Sequence, residues 1–230
     1  MTIKKYVPII IIVLLSIVAW SLGIQHYFTF DALKKYHQLL EGYIAAHTIF
    51  AVLIYAGIYI TVVGLSIPGA AFMTLAGGIF FGQWVGTVTA VISASLGATV
   101  LFFSAKMASQ DLMTQKAGTW VQKMQKGFQN GAFFYLLTLR LIPIFPFFAV
   151  NLAAALLQVP LLTFFFGTVL GIIPGSFVYV SLGVALQKVI YTQNVSPKLI
   201  LDPKILLALG GLGLLSLLPI AYKWIRGKSG

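Results

Sequence analysis

Residues 66–82, SIPGAAFMTLAGGIFFG, carry no charge, yet they contain Pro68, Gly69, Gly77, Gly78 and Gly82. Proline and glycine at this density interrupt helices, while the apolar side chains suit hydrocarbon. Broken backbone survives at membrane depth only where protein or a water-filled cavity surrounds it. The stretch therefore reads as a re-entrant hairpin, with these five residues forming it. Residues 133–157, FFYLLTLRLIPIFPFFAVNLAAALL, have the same character: Pro143 and Pro146 interrupt them, Arg140 lies inside, and Asn151 follows.

Working outward, apolar runs over 6–24, 43–65, 84–105, 161–186 and 205–224 read as membrane crossings. The run at 6–24 is too long for a signal-peptide core and reads as a retained anchor. Two amphipathic stretches read as helices lying in the interface. One is 29–41, with Phe30, Leu33, His37 and Leu40 on one stripe; the other is 106–130, with Lys116, Lys123 and Lys126 off the apolar face. The organisation is thus an N-terminal anchor and interfacial helix (1–42), a core (43–186) with its hairpins, and a loop, last span and basic tail (187–230). Composition agrees: 60% of the residues are hydrophobic and 8% charged, with mean hydropathy +0.99, whereas a soluble domain is about a quarter charged. The fold class is an all-α integral membrane protein, a polytopic helical bundle.

The net charge of +11 does not point to nucleic acid, because the lysines are scattered over short connections. Anionic lipid headgroups are the expected partner, and self-association is left open. The chain has no cysteine, and its three histidines have no carboxylate at ligand spacing, so neither metal nor cofactor is expected. No nucleophile–base set or carboxylate pair suggests an enzyme.

Shifting the sequence by 78 residues lays Pro68 on Pro146, Ala76 on Ala154, and Thr89, Ser93 and Gly97 on Gly167, Gly171 and Gly175. Each half reads as interfacial helix, broken hairpin, then a span with a ridge of small residues. One crossing separates the hairpins, so they enter from opposite sides, as in the inverted repeats of secondary transporters. Chance likeness between apolar segments is the competing reading.

The segments Ser66-Ile-Pro-Gly, Ala76-Gly-Gly-Ile-Phe-Phe-Gly82, Leu139-Arg-Leu-Ile-Pro-Ile-Phe-Pro-Phe-Phe148 with Asn151, and Gly171-Ile-Ile-Pro-Gly175 together resemble the DedA/VTT superfamily. Within it they resemble the Tvp-like branch, the SNARE-associated Golgi proteins, over about residues 43–186. The resemblance implies two opposed re-entrant hairpins and a role in moving lipids across the bilayer, as flippase or scramblase of phospholipid or polyprenyl phosphate. It also implies acidic residues near the first hairpin, and residues 64–82 contain none.

Arg140 is the only charged residue inside either hairpin, at an insertion cost of at least about 2.5 kcal/mol. It either forks onto a lipid phosphate, helped by backbone N–H groups after Pro146, or satisfies hairpin carbonyls or snorkels to the interface. Asn151 bonds the ligand or the opposite hairpin, and Pro143 and Pro146 shape the site. The leading expectation is a lipid transporter. A small-ion or solute secondary transporter and a non-catalytic membrane organiser are the alternatives. The expected residence is a bacterial plasma membrane.

Overall fold

The computed structural model describes residues 6–23, 29, 40–116, 131–141 and 145–192. Among these described residues seven helices follow in order: α1 (Val7–Ser21), α2 (Leu40–Ala46), α3 (Thr48–Gly64), α4 (Ala70–Lys116), α5 (Ala132–Leu141), α6 (Phe147–Leu156) and α7 (Leu161–Thr192). The described residues contain no strand, in keeping with the all-α expectation. Two helical stretches, Ala70–Ser109 and Leu161–Gln187, are long and apolar enough to cross a membrane. A third crossing is made if α2 and α3, bent by 116° about His47, count as one span. The expected crossing at 205–224 and Pro143 lie outside the described residues, as do most residues of the two expected interfacial helices.

The long α4 is not straight. Gly82 has φ 75° and ψ −172°, a conformation open essentially to glycine alone, and the chain reverses there. Gly77 and Gly86 face each other across the turn, so a Cβ on Gly86 would sit 2.5 Å from the Gly77 carbonyl oxygen. The arm before the turn (70–81) lies antiparallel to α3. The Tyr59 hydroxyl meets the Ala70 carbonyl at 2.9 Å, and the Tyr55 hydroxyl donates to the Met73 carbonyl at 2.5 Å. The first hairpin is therefore built differently from its sequence reading. Gly77 and Gly78 sit within regular helix and serve close packing, Gly82 alone breaks the path, and Pro68 and Gly69 precede the arm. The arm after the turn also runs to Lys116, past the boundary at residue 105 expected for that crossing.

The second half repeats this plan. α5 stops at Leu141, α6 begins after Pro146, and α7 begins after Pro160. Shifted by 78, the arm 70–81 falls on α6, and residue 83, where α4 resumes, falls on Leu161, the first residue of α7. α5 packs beside α7 in the same direction, with Leu136 against Gly167 and Arg140 against Gly171. At ten residues each, α5 and α6 are about 15 Å long, half the thickness of the hydrocarbon core, so they depend on α4 and α7 for cover.

The two halves meet head to tail. The Gln83 side chain donates to the Phe177 carbonyl at 3.2 Å and accepts from Ser181 at 2.9 Å. Further along, Phe102 stacks on Phe164 at 4.1 Å, and Lys106 Nζ donates to the Val159 carbonyl. Residue numbers rise along α4 as they fall along α7, so the repeat-equivalent long helices are antiparallel and the repeat is inverted. The shared core is lined by small residues, among them Ala90, Ala94 and Ala98, all buried.

The closest approach pairs Gly78 with Val180 and Gly183 with Leu75, where an added Cβ would strike backbone carbonyl oxygens on the facing helix. Gly78→Val or Gly183→Val should force α4 and α7 apart and lower stability by about 1–3 kcal/mol or more. At Gly57, where nothing lies within 4 Å of an added Cβ, substitution by Ala should be neutral or stabilising by up to about 1 kcal/mol. Thermal unfolding in detergent followed by size-exclusion yield checks this. Equal Tm values for Gly78→Val and Gly57→Ala would contradict the packing account.

Candidate functional site

Arg140 lies in the last turn of α5 and is aimed across the break toward α6 and α7. Its Nη2 donates to Asn151 Oδ1 at 2.5 Å and to Thr168 Oγ1 at 3.2 Å, and its Nη1 donates to the Phe147 carbonyl at 3.3 Å. The guanidinium also lies over the Phe147 ring at 4.2 Å and within 5.7 Å of the Phe164 ring centroid. Gly171 makes this placement possible, because a Cβ there would sit 2.5 Å from Arg140 Cβ.

A guanidinium has five N–H donors, and these contacts use three. Among the described residues Nε is buried without a partner, as is Asn151 Nδ2. Every partner of Arg140 among the described residues is neutral: an amide, a hydroxyl, a carbonyl and two ring faces. Buried charges are ordinarily paired, so this cation retains an unanswered field as well as spare donors. It borders a cavity of about 230 Å³ between the halves. The first half supplies Tyr59, Thr74 and Ala94 to the wall, and the second supplies Arg140, Phe147 and Tyr179. Ala94 is about midway along the α4–α7 crossing defined by the Gln83 and Lys106 contacts, so the cavity sits at the middle level of the inverted repeat.

The sequence-predicted residues separate on this map. Arg140 and Asn151 come together, and Asn151 is wholly buried; its carbonyl end braces Arg140, a contact within the second half and not with the opposite hairpin. Pro146 is the N-cap of α6 with no side-chain cap, and it borders a neighbouring cavity together with Pro68 and Gly69. Gly77, Gly78 and Gly82 do not line the Arg140 cavity and act in packing and reversal.

Sequence reasoning missed Thr168, Tyr59 and Thr74. Thr168 stands beside Gly167 in the small-residue ridge, one turn before Gly171, which placed it on the Arg140 side. Tyr59 and Thr74 bond each other at 2.7 Å from two helices, a pairing that no spacing within one segment announces. Lys106 was read as the start of a polar stretch. Its ammonium instead donates to the Val159 carbonyl and, at 3.4 Å, to that of Gln158, closing the C-terminal end of α6. Among the described residues no group of three His, Cys, Asp or Glu could hold a metal ion.

A family model described as VTT domain matches residues 67–185. Transmembrane protein 41 homolog of Dictyostelium discoideum is 31% identical over 194 residues, 83% of this chain and 56% of the relative. The protein of the same name from Caenorhabditis elegans is 30% identical over 169 residues, 72% of this chain and 67% of the relative. Human Transmembrane protein 41B is 25% identical over 162 residues, 69% and 55% of the two chains. The chain thus spans between about half and two thirds of these relatives' length. No solved structure matches.

Removing the Thr168 hydroxyl tests the bracing of Arg140. Thr168→Val leaves a charged donor one acceptor short in a buried place, with an expected loss of about 1–3 kcal/mol. Thr138, which is only half-buried and bonds its own helix at the Phe134 carbonyl, serves as the control. Thermal unfolding of Thr168→Val and Thr138→Val side by side gives the comparison, and equal Tm values would remove Thr168 from the site.

Proposed function

The chain belongs to the VTT-domain family of membrane proteins, and from that premise we propose that it moves phosphate-bearing lipid across the bilayer through the cavity between its two inverted halves. The observation that carries this reading is Arg140: a cation at the middle level of the repeat, held among the described residues by neutral partners only, with donors to spare, beside a chamber. A guanidinium without a counter-ion is a receptor for an anion, and its planar donor set suits phosphate oxygens. Tyr59 and Thr74 on the facing wall, bonded to each other and to the Ala70 carbonyl, give the chamber a neutral polar side opposite the cation. Catalysis of passage then means replacing the water shed by the phosphate with these groups, which lowers the cost of bringing its charge to mid-bilayer.

The relatives' names describe membrane proteins and no reaction, and they come from eukaryotes. They lend nothing to the plasma-membrane placement, which rests on the sequence reading alone; phosphate lipids occur in either setting. The same unpaired cation favours one second reading, a transporter of a small free anion, and a flux assay with inorganic phosphate separates the two.

Arg140→Lys keeps the charge but loses the fork, so lipid translocation per folded molecule should drop, while Arg140→Gln should be inactive. If Arg140 only satisfied carbonyls, both changes would instead reduce folded yield and leave translocation per molecule unchanged. The paired measurement is folded yield in detergent and headgroup-labelled lipid translocation in vesicles. Normal translocation by well-folded Arg140→Gln would sink the proposal.

A further inference from the structure

A second chamber lies beneath α1. It measures about 470 Å³ and is walled by Trp20, Val63, Ile67, Pro68, Pro146 and Phe148. Ala70 and Phe147 line both this chamber and the one at Arg140, so the two are neighbours through a shared wall. One holds a cation and hydroxyls; the other's side chains are apolar except for Ser66. That order, charged end beside hydrocarbon end, is the order of an amphiphile.

Size points the same way. Enclosed sites for drug-sized ligands run about 300–1,000 Å³, and the Arg140 chamber falls below that range. It has room for a headgroup and not for a lipid, whereas the two chambers together fall within the range.

α1 contributes one residue, Trp20 in its last turn, to the lining of the apolar chamber. It rests on the core mainly through α4. At its inner face Ser16 Oγ donates to the Leu65 carbonyl at 2.5 Å while also bonding its own helix at Ile12. Its outer face, with Ile10, Leu14 and Ile17, is exposed. Trp20 is 60% exposed yet borders the chamber, so its ring stands at the rim between chamber and surroundings.

We infer that the chamber beneath α1 is an acyl-chain site, holding one hydrocarbon chain of the lipid whose phosphate is on Arg140, with Trp20 at its mouth. This rests on the anion-lipid reading of Arg140 and adds a requirement to it: recognition needs a chain as well as a phosphate. The chain threads between α1 and the start of α6, and the light attachment of α1 lets it enter sideways from the bilayer.

The test uses Trp20 as the only tryptophan, with Trp84, Trp120 and Trp224 changed to Phe, in nanodiscs of digalactosyldiacylglycerol, a neutral lipid without phosphate. A small fraction of phosphatidic acid brominated on its acyl chains is added, or the same fraction of identically brominated digalactosyldiacylglycerol. Quenching of Trp20 should be greater with the phosphatidic acid. The excess should be lost in Arg140→Gln, reduced in Ile67→Phe, which narrows the chamber, and reversed by unbrominated phosphatidic acid in excess. The reversal is read on the protein with Arg140 and Ile67 unaltered, so it stands even if a variant fails to fold. Equal quenching by the two brominated lipids would overturn the acyl-chain site. Binding of soluble glycerol phosphate to the same protein then decides what remains: retained binding leaves the Arg140 reading intact, and absent binding removes both.

Discussion

The rest of the structure depends on the backbone-to-backbone approach of α4 and α7. Helices in lipid gain little from the hydrophobic effect between them, so association comes from close packing and from polar contacts across the interface. Glycine supplies the packing at Gly78 and Gly183 and again at the Gly77–Gly86 turn contact. Alanines continue the seam. Because this seam is tight, the half-length helices 70–81 and α6 can be held against full-length partners. Neither crosses a bilayer alone, and each leaves a helix start near the middle level of the molecule. The cavity follows from that arrangement: two half-length helices facing each other cannot fill the space that two full-length ones would.

The repeat is symmetric in path but not in chemistry. The 78-residue shift that superposes the helices sets Arg140, Asn151 and Thr168 on Val62, Met73 and Ala90. The first half instead contributes hydroxyls, through Tyr59 and Thr74 bonded to each other and to the Ala70 carbonyl. One half thus carries the charge and the other the neutral polar wall. An exactly duplicated arginine would place two like charges at one level in a medium that screens them poorly. The ends of the crossing differ as well. Gln83 and Ser181 tie one end, while Lys106 ties the other to the carbonyls that end α6.

Much of the architecture was legible because its signals are local. Pro68 and Pro146 mark the starts of the half-length helices in both halves, and the repeat of prolines and small residues is readable without coordinates. What misled was equivalence among glycines. Gly77, Gly78 and Gly82 look alike in a string, yet only Gly82 takes a positive φ, and the other two are helical residues whose missing side chain makes room for a neighbour. Which glycine breaks a helix is decided by what packs against it: Tyr55 and Gly86 for Gly77, and for Gly78 partners about a hundred residues away at Val180 and Gly183. Arg140 and Asn151 were found because a charge and an amide in an apolar run are costly and therefore informative. Thr168 was missed because a threonine hydroxyl in a membrane helix ordinarily bonds its own backbone, as Thr138 does, and Tyr59 because its partners Ala70 and Thr74 lie on another helix.

The central claim is that Arg140 is kept without a counter-ion so that a ligand's negative charge can complete it. Asn151→Asp tests this most directly, since it changes an amide for a carboxylate of nearly the same shape at the atom Arg140 already touches. The account predicts an equally or more stable protein, because the cation gains its missing partner, together with loss of phosphate-lipid translocation in vesicles, because the receptor is already neutralised. Undiminished translocation by a folded Asn151→Asp protein would contradict it.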